Sequence, residues 1–157
     1  MLSQGIYHIL AGDRMNDSVK IITDFKENDG ISKIIYDNLK KFNESIIGTY
    51  EAKPFIIHAQ NNASEVLGGI KGDVFGTLCR VFTVWIHEKY RRKGLGRDLF
   101  KQLDVFAKEN KCTMIQLDTA EFQARGFYEK LGYQVIATLP DNFMGYTSYI
   151  LRKNLLD

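Results

Sequence analysis

Little in this chain punctuates or cross-links it. Two prolines and two cysteines occur in 157 residues. Pro54 and Pro140 are too few for a proline-rich linker, and there is no internal repeat or low-complexity segment, so composition marks no domain boundary. Cys79 and Cys112 lie far apart in apolar stretches with no CxxC. That argues against a disulfide framework or a zinc site and suits a reducing compartment. No His/Cys/carboxylate cluster has metal-ligand spacing, so no metal is expected. No run approaches the ~18 apolar residues of a membrane span. The stretch MLSQGIYHILAGDRMND lacks the apolar core of a signal peptide, so a cytoplasmic location is expected. Charge of one sign is scarce too: 21 Lys+Arg face 19 Asp+Glu, a net +2. That balance gives no reason to expect a nucleic-acid or membrane partner.

What is present is an ordinary globular composition, 45% hydrophobic and 12% aromatic, enough for one domain over 1–157 with a sizeable core. Residues 5–11 and 18–25 read as short strands around GDRMND, a hairpin pattern. Ile31, Ile34, Ile35, Leu39 and Phe42 recur at helical spacing, predicting an amphipathic helix over 29–43. Residues 54–59 and 64–70 flank the polar turn QNNA and predict a second hairpin. GTLCRVFTVWI, residues 76–86, is nearly all apolar and rich in β-branched and aromatic types, as a buried central strand requires. Leu95, Leu99, Leu103, Phe106 and Ala107 form one face of a helix over 94–109. A strand follows at 112–117, then a short helix at 122–131 ending at Gly132, with Gly126 placed in its first turn. Strands at 133–139 and 145–152 around PDNFM close the chain. Strand–helix–strand order after residue 76 predicts a parallel crossover inside a mixed α/β sheet.

The segment YRRKGLGRDLF, residues 90–100, joins the most apolar strand to a helix. A helix N-terminus offers unpaired N–H groups and the positive end of a dipole. Glycines let a ligand approach the main chain without a Cβ in the way. Arg91, Arg92 and Lys93 add positive charge at the rim, so the loop fits an anion, phosphate above all. GxxxxGK[ST] is absent, and Leu99 stands where GxGxxG needs its third glycine. The pattern present is Arg-x-x-Gly-x-Gly; alone it also fits a solvated basic turn whose glycines serve chain geometry.

Val84-Trp85-Ile86 precedes this loop and ARGFYEKLGY, residues 124–133, follows it, and with these the sequence resembles the GNAT superfamily of acyl-CoA-dependent N-acetyltransferases. The resemblance rests on Val84-Trp85-Ile86 followed by Arg91-Arg92-Lys93-Gly94-Leu95-Gly96, and on Ala124 through Tyr133 (ARGFYEKLGY), within a bacterial-type LDTAEFQARGFYEKLGY. It covers about 53–153; residues 1–28 carry little of it and read as an N-terminal strand extension. The resemblance implies a mixed, mostly antiparallel sheet of about seven strands flanked by helices, with a splayed central strand pair. It implies acetyl-CoA as co-substrate and direct transfer of the acetyl group to a primary amine of a small molecule or peptide. A homodimer is the family's habit.

Residue by residue, the resemblance implies that the amides of 92–97, from Arg92, Lys93, Gly94, Leu95, Gly96 and Arg97, hold the pyrophosphate beside Arg91. The main chain of Val84, Trp85 and Ile86 would pair with the pantetheine arm, the Trp85 ring packing in the core. Tyr128 matches the family's general acid; a phenol with an ordinary pKa near 10 holds its proton at neutral pH. The central strand offers Arg80 and Thr83 but no carboxylate, so the base is Asp118 at the end of the next strand or one acting through water. His87, Glu88 and Glu121 are lesser candidates, with His87 and Glu88 on a solvated turn. Glu121 also replaces an Asn that the family often uses towards CoA. His58 reads as a core histidine, and both cysteines as core residues. Phe143, Tyr146 and Tyr149 are candidates to border the acceptor, along with the loop 140–145 and the helix near 29–43. Two other functions stay open: a sensor that binds acyl-CoA without turnover, and an anion or nucleic-acid module built on Lys89, Arg91, Arg92, Lys93 and Arg97.

Overall fold

The computed structural model describes residues 9–10, 20–24 and 28–156, which fall in two compact units, Met1–Thr49 and Tyr50–Asp157. In the first unit, β1 (Ile9–Leu10) pairs antiparallel with β2 (Lys20–Ile21) as a two-stranded sheet of its own. Residues 22–24, expected in the second strand, carry no strand, and the remainder of the expected hairpin lies outside the described residues. Helix α1 (Asp29–Ile47) starts where the Asn28 side chain accepts from the Ile31 N–H at 3.2 Å. It ends at Gly48, whose φ of +79° suits glycine. The helix outruns the predicted 29–43 because Ile46 continues the apolar face one turn further.

The second unit is a six-stranded sheet in the order β3-β4-β5-β6-β8-β7. Its strands are β3 (Lys53–Gln60), β4 (Val66–Phe75), β5 (Leu78–Ile86), β6 (Met114–Ala120), β7 (Gln134–Phe143) and β8 (Tyr146–Asn154). Every neighbouring pair is antiparallel except β5 with β6, joined by the crossover helix α2 (Leu95–Glu109). The fold class is as expected; among the described residues this sheet has six strands where about seven were expected.

The predicted apolar face of α2 supplies the core. Leu99, Phe100, Leu103 and Ala107 are buried against Ile70, Val74, Cys79, Val81, Ile115, Leu117 and Leu151 of the four central strands. Each large side chain of this kind contributes roughly 1.5–3 kcal/mol by leaving water. Both cysteines are buried, as expected, and burial is the first cause that pushes the Cys79 thiol up to about 12 and raises Cys112.

Two strands run further than their sequences suggest. β4 continues through Gly72 to Phe75, because β5 approaches so closely that a Cβ at residue 72 would collide with the Arg80 carbonyl oxygen. β7 continues irregularly through Pro140-Asp141-Asn142, expected as loop, and the hairpin turns on Met144 and Gly145 alone. Both have positive φ, +50° and +87°, the geometry of a two-residue type I′ turn.

Candidate active site

β5 and β6 are neighbours for only part of their length. Parallel pairing runs from Leu78 opposite Met114 to Val81 opposite Leu117 and then stops. The next residue, Phe82, is an extra residue in β5: Lys71 pairs with Thr83 but Gly72 with Val81. A bulge bends and twists its strand. Here it turns β5 away from β6 at the point where their ladder ends. Beyond it β5 keeps only β4, and β6 keeps only β8, so a cleft opens between Phe82–Ile86 and Asp118–Ala120.

The register decides which main-chain groups face that cleft. His87 N–H donates to the Leu67 carbonyl at 2.9 Å, so 67/87, 69/85 and 71/83 are the hydrogen-bonded pairs. The alternate residues Val84 and Ile86 therefore present N–H and C=O away from β4, into the cleft. Trp85's main chain faces β4 instead. Its ring is 45% exposed and stacks edge-on to His87 at 5.9 Å, so it does not pack in the core as its sequence context suggests. The bulge is the reason: one extra residue reverses the alternation and turns Val84 and Ile86 inward.

After β5, His87 caps a single 3-10 turn, Glu88–Tyr90, its Nδ1 accepting from Lys89 N–H at 3.2 Å. That accounts for His87 and Glu88 as loop formers. Arg91 then folds back, Nε donating to the Ile86 carbonyl at 2.9 Å. Arg92 has φ +59° and Gly94 φ +93°, both left-handed, with Lys93 between them. An arginine in that region is uncommon, and such strain gathers at binding loops. The first helical bond of α2 is Asp98 N–H to the Gly94 carbonyl, 3.1 Å. Among the described residues no hydrogen bond reaches the amides of Arg92, Lys93, Gly94, Leu95, Gly96 or Arg97. This is a nest of donors at the positive end of a 15-residue helix, with no side-chain cap competing for it. A Cβ at Gly94 would meet nothing within 4 Å, so its φ is what demands glycine there. At Gly96 the demand is space, since a Cβ would stand 3.1 Å from Phe127 Cζ.

That contact links the loop to α3 (Arg125–Glu129), where Gly126 sits in the first turn as expected. Tyr128, next to Phe127, is 7% exposed, its ring packed edge-on against Phe100 at 5.5 Å and Phe127 at 5.3 Å. Burial raises its pKa above the ordinary phenol value, and the Asp118 charge adds to the rise. The phenol therefore keeps its proton throughout the neutral range. Asp118 is exposed on β6, opposite Ile150. Glu121 begins the turn after β6, its N–H donating to the Thr147 carbonyl at 2.9 Å. His58 is exposed on the edge strand β3, opposite Gly69, and is no core histidine. Among the described residues no group of His, Cys, Asp and Glu could hold a metal ion, and no helix is long and apolar enough to cross a membrane.

Gln123 and Phe122 had no expectation attached. The Gln123 side chain accepts from Ala120 N–H at 2.8 Å and from the Thr119 hydroxyl at 3.1 Å. Exposed Phe122 meets Tyr146 at 4.9 Å and Phe143 at 6.0 Å, making a small aromatic cluster beside the end of β6. Tyr149 is not part of it; its ring packs on the core beneath Arg125 at 4.5 Å.

The family model of the acetyltransferase (GNAT) domain matches residues 41–135. A blasticidin-S acetyltransferase from Streptomyces morookaense is 35% identical over 109 residues, 67% of this chain and 80% of that protein. An acetyltransferase structure from Bacillus cereus superposes with a TM-score of 0.76 at 24% identity, covering 84% of this chain and 96% of that one. A Bacillus anthracis structure in complex with acetyl coenzyme A superposes with a TM-score of 0.60 at 21% identity, covering 68% and 65%. The unbonded amides of 92–97 and the open strand edge at Val84 fit a co-substrate with a pyrophosphate and an amide-bearing arm. The chain belongs to the GNAT acetyltransferase family.

Proposed function

We propose that the protein transfers the acetyl group of acetyl-CoA directly to a primary amine of a small molecule. The observation that carries this reading is the amide nest at the start of α2, which follows a β5 edge left without a partner past Val81. The buried phenol of Tyr128, whose pKa is raised by burial and by the Asp118 charge, supports it. Acetyl-CoA supplies an activated thioester. The amides of Arg92 to Arg97 hold its pyrophosphate, and the outward N–H and C=O of Val84, with the N–H of Ile86, pair with its arm as a strand would. Arg91 acts one step back, holding the loop against the Ile86 carbonyl.

Asp118, exposed on the β6 wall, takes the proton that the attacking amine must lose. Tyr128 gives its proton to the departing thiolate, and the raised phenol pKa keeps that proton available at neutral pH. The exposed rings of Phe122, Phe143 and Tyr146 support an acceptor that presents apolar or flat surface beside its amine. A relative that acetylates blasticidin S supports an antibiotic-like amine over a protein terminus.

The test is a mass-resolved assay with acetyl-CoA and an amine panel that includes blasticidin S, polyamines, aminoglycosides and lysine peptides. The expected result is one acetyl group on a small amine and one equivalent of free thiol. Acetyl-CoA binding without acetylation of any amine, unchanged by Tyr128→Phe, would leave a binding protein in place of an enzyme.

A further inference from the structure

The two walls of the cleft end alike. On β5 the last cleft-facing carbonyl, that of Ile86, accepts from the Arg91 side chain at 2.9 Å. On β6 the bond from Glu121 N–H to the Thr147 carbonyl fixes the ladder, so Ala120 and Asp118 turn their main-chain groups away from β8 and towards the gap that β5 has left. Ala120 does not leave those groups open. Its N–H donates to Gln123 Oε1 at 2.8 Å, and its carbonyl accepts from Gln123 N–H at 2.9 Å. Gln123 thus gives Ala120 one donor and one acceptor, the pair a neighbouring strand would give. The amide orientation is forced, because a main-chain N–H can be met only by the amide oxygen. Buried Thr119 donates its hydroxyl to the same oxygen at 3.1 Å.

Without the Gln123 side chain, the Ala120 N–H would be unmet at a strand edge, while the main-chain N–H of residue 123 would still meet the Ala120 carbonyl. The nearest remedy is for β6 to resume its ladder with β5 past Val81 and Leu117, which would narrow the cleft. We propose that Gln123 is a positioning residue that substitutes for the missing strand and holds the β6 wall apart from β5. Its place in the turn entering α3 means that the same clamp sets where Tyr128 stands relative to the cleft. The inference rests on acetyl-CoA lying between these walls.

Trp85 is the sole tryptophan and stands on the β5 wall, so its fluorescence reports acetyl-CoA binding without turnover. We would compare wild type, Gln123→Leu and Gln123→Glu by fluorescence titration and calorimetry, with Tm recorded for each. Gln123→Leu removes both side-chain bonds and should weaken acetyl-CoA binding roughly tenfold, the scale of the one to the Ala120 N–H. Gln123→Glu keeps the accepting oxygen and should restore most of the affinity. Thr119→Val removes only the second bond and should weaken binding less, which keeps the test open should Gln123→Leu not fold. Unchanged affinity in folded Gln123→Leu, or a Gln123→Glu no better than it, overturns the proposal. A lowered Tm with unchanged affinity overturns it as well, leaving a purely structural bond. Wild type that binds acetyl-CoA with no dependence on Gly94 or Val84 would instead remove the cleft reading on which the proposal stands.

Discussion

The first half of β5 and its second half are continuous in the chain and opposite in use. Leu78–Val81 has a strand on each side and buried Cys79 and Val81 facing α2. Phe82–Ile86 has a strand on one side only, main-chain groups facing a gap, and an exposed tryptophan. A single bulged residue separates them. The lesson is that this site comes from withdrawing a strand partner rather than from adding a pocket of polar side chains. The binding groups proposed for it are therefore main-chain donors and acceptors, which tolerate many side chains and leave a weak trace in sequence.

The comparison breaks most severely where the paired half meets its helix. Leu103 is fully buried on α2 over that half. Leu103→Ala should cost about 2–5 kcal/mol of stability, read as a lowered urea midpoint. Activity per folded molecule should barely change. A comparable loss of kcat in fully folded protein would mean that the two halves are not separable.

Tyr128→Phe should do the reverse. It removes the hydroxyl of the proposed general acid, so kcat should fall at least about 100-fold, the low end for such a group. Acetyl-CoA affinity and Tm should stay close to wild type. The sign of the pH effect is fixed by the raised phenol pKa. The acid form is the active one, so the wild-type rate should persist through the neutral range and decline only above the ordinary phenol range. A wild-type rate that declines below that range would assign the acid to another group.

Gly94→Ala tests the nest. The added Cβ meets no atom, so the cost comes from a left-handed φ of +93°, about 1–3 kcal/mol for a non-glycine residue. The loop can escape that cost by relaxing, which would scatter the amides. Acetyl-CoA affinity should therefore drop by more than stability does. Equal affinity by calorimetry would show that the helix N-terminus binds without the loop's conformation.

How much of this was legible from residues alone follows from the same division. Periodic features were readable: the apolar run of β5, the face of α2 and the parallel crossover all repeat at strand or helix spacing. The glycine loop was readable because glycines and cations before a helix are rare together. Non-periodic features were not. The second strand of the hairpin was expected to stop at residue 70, whereas Gly68, Gly69 and Gly72 let β4 lie close to its neighbours and run on to Phe75. The bulge at Phe82 has no composition signal, so the outward turn of Trp85 was missed with it. Arg91 was read as positive charge at the rim, and nothing in the sequence told that its Nε also braces the loop on Ile86. Gln123 went unnoticed because one side chain bonded to a main chain three residues away leaves no pattern to find.

The smallest expected effect sits deepest in the paired half. Burial raises Cys79 from an ordinary thiol value of 9.0 to about 12, helped by the nearby Cys112 and the Asp73 carboxylate. Only the thiolate reacts readily with alkylating reagents. Folded protein at mildly alkaline pH should therefore show almost no labelling of Cys79, while urea-unfolded protein labels at once. The linkage has a definite sign. Between about 9 and 12 the folded state holds the Cys79 proton more tightly than the unfolded state does, so this group's contribution is complete below that window and is lost as pH rises through it. Stability measured against pH should thus bend downward above pH 9 in wild type and bend less in Cys79→Ala. Rapid labelling of Cys79 in folded protein would mean that the ladder from Leu78 to Val81 opens as readily as the cleft beside it, and the contrast between the two halves of β5 would go.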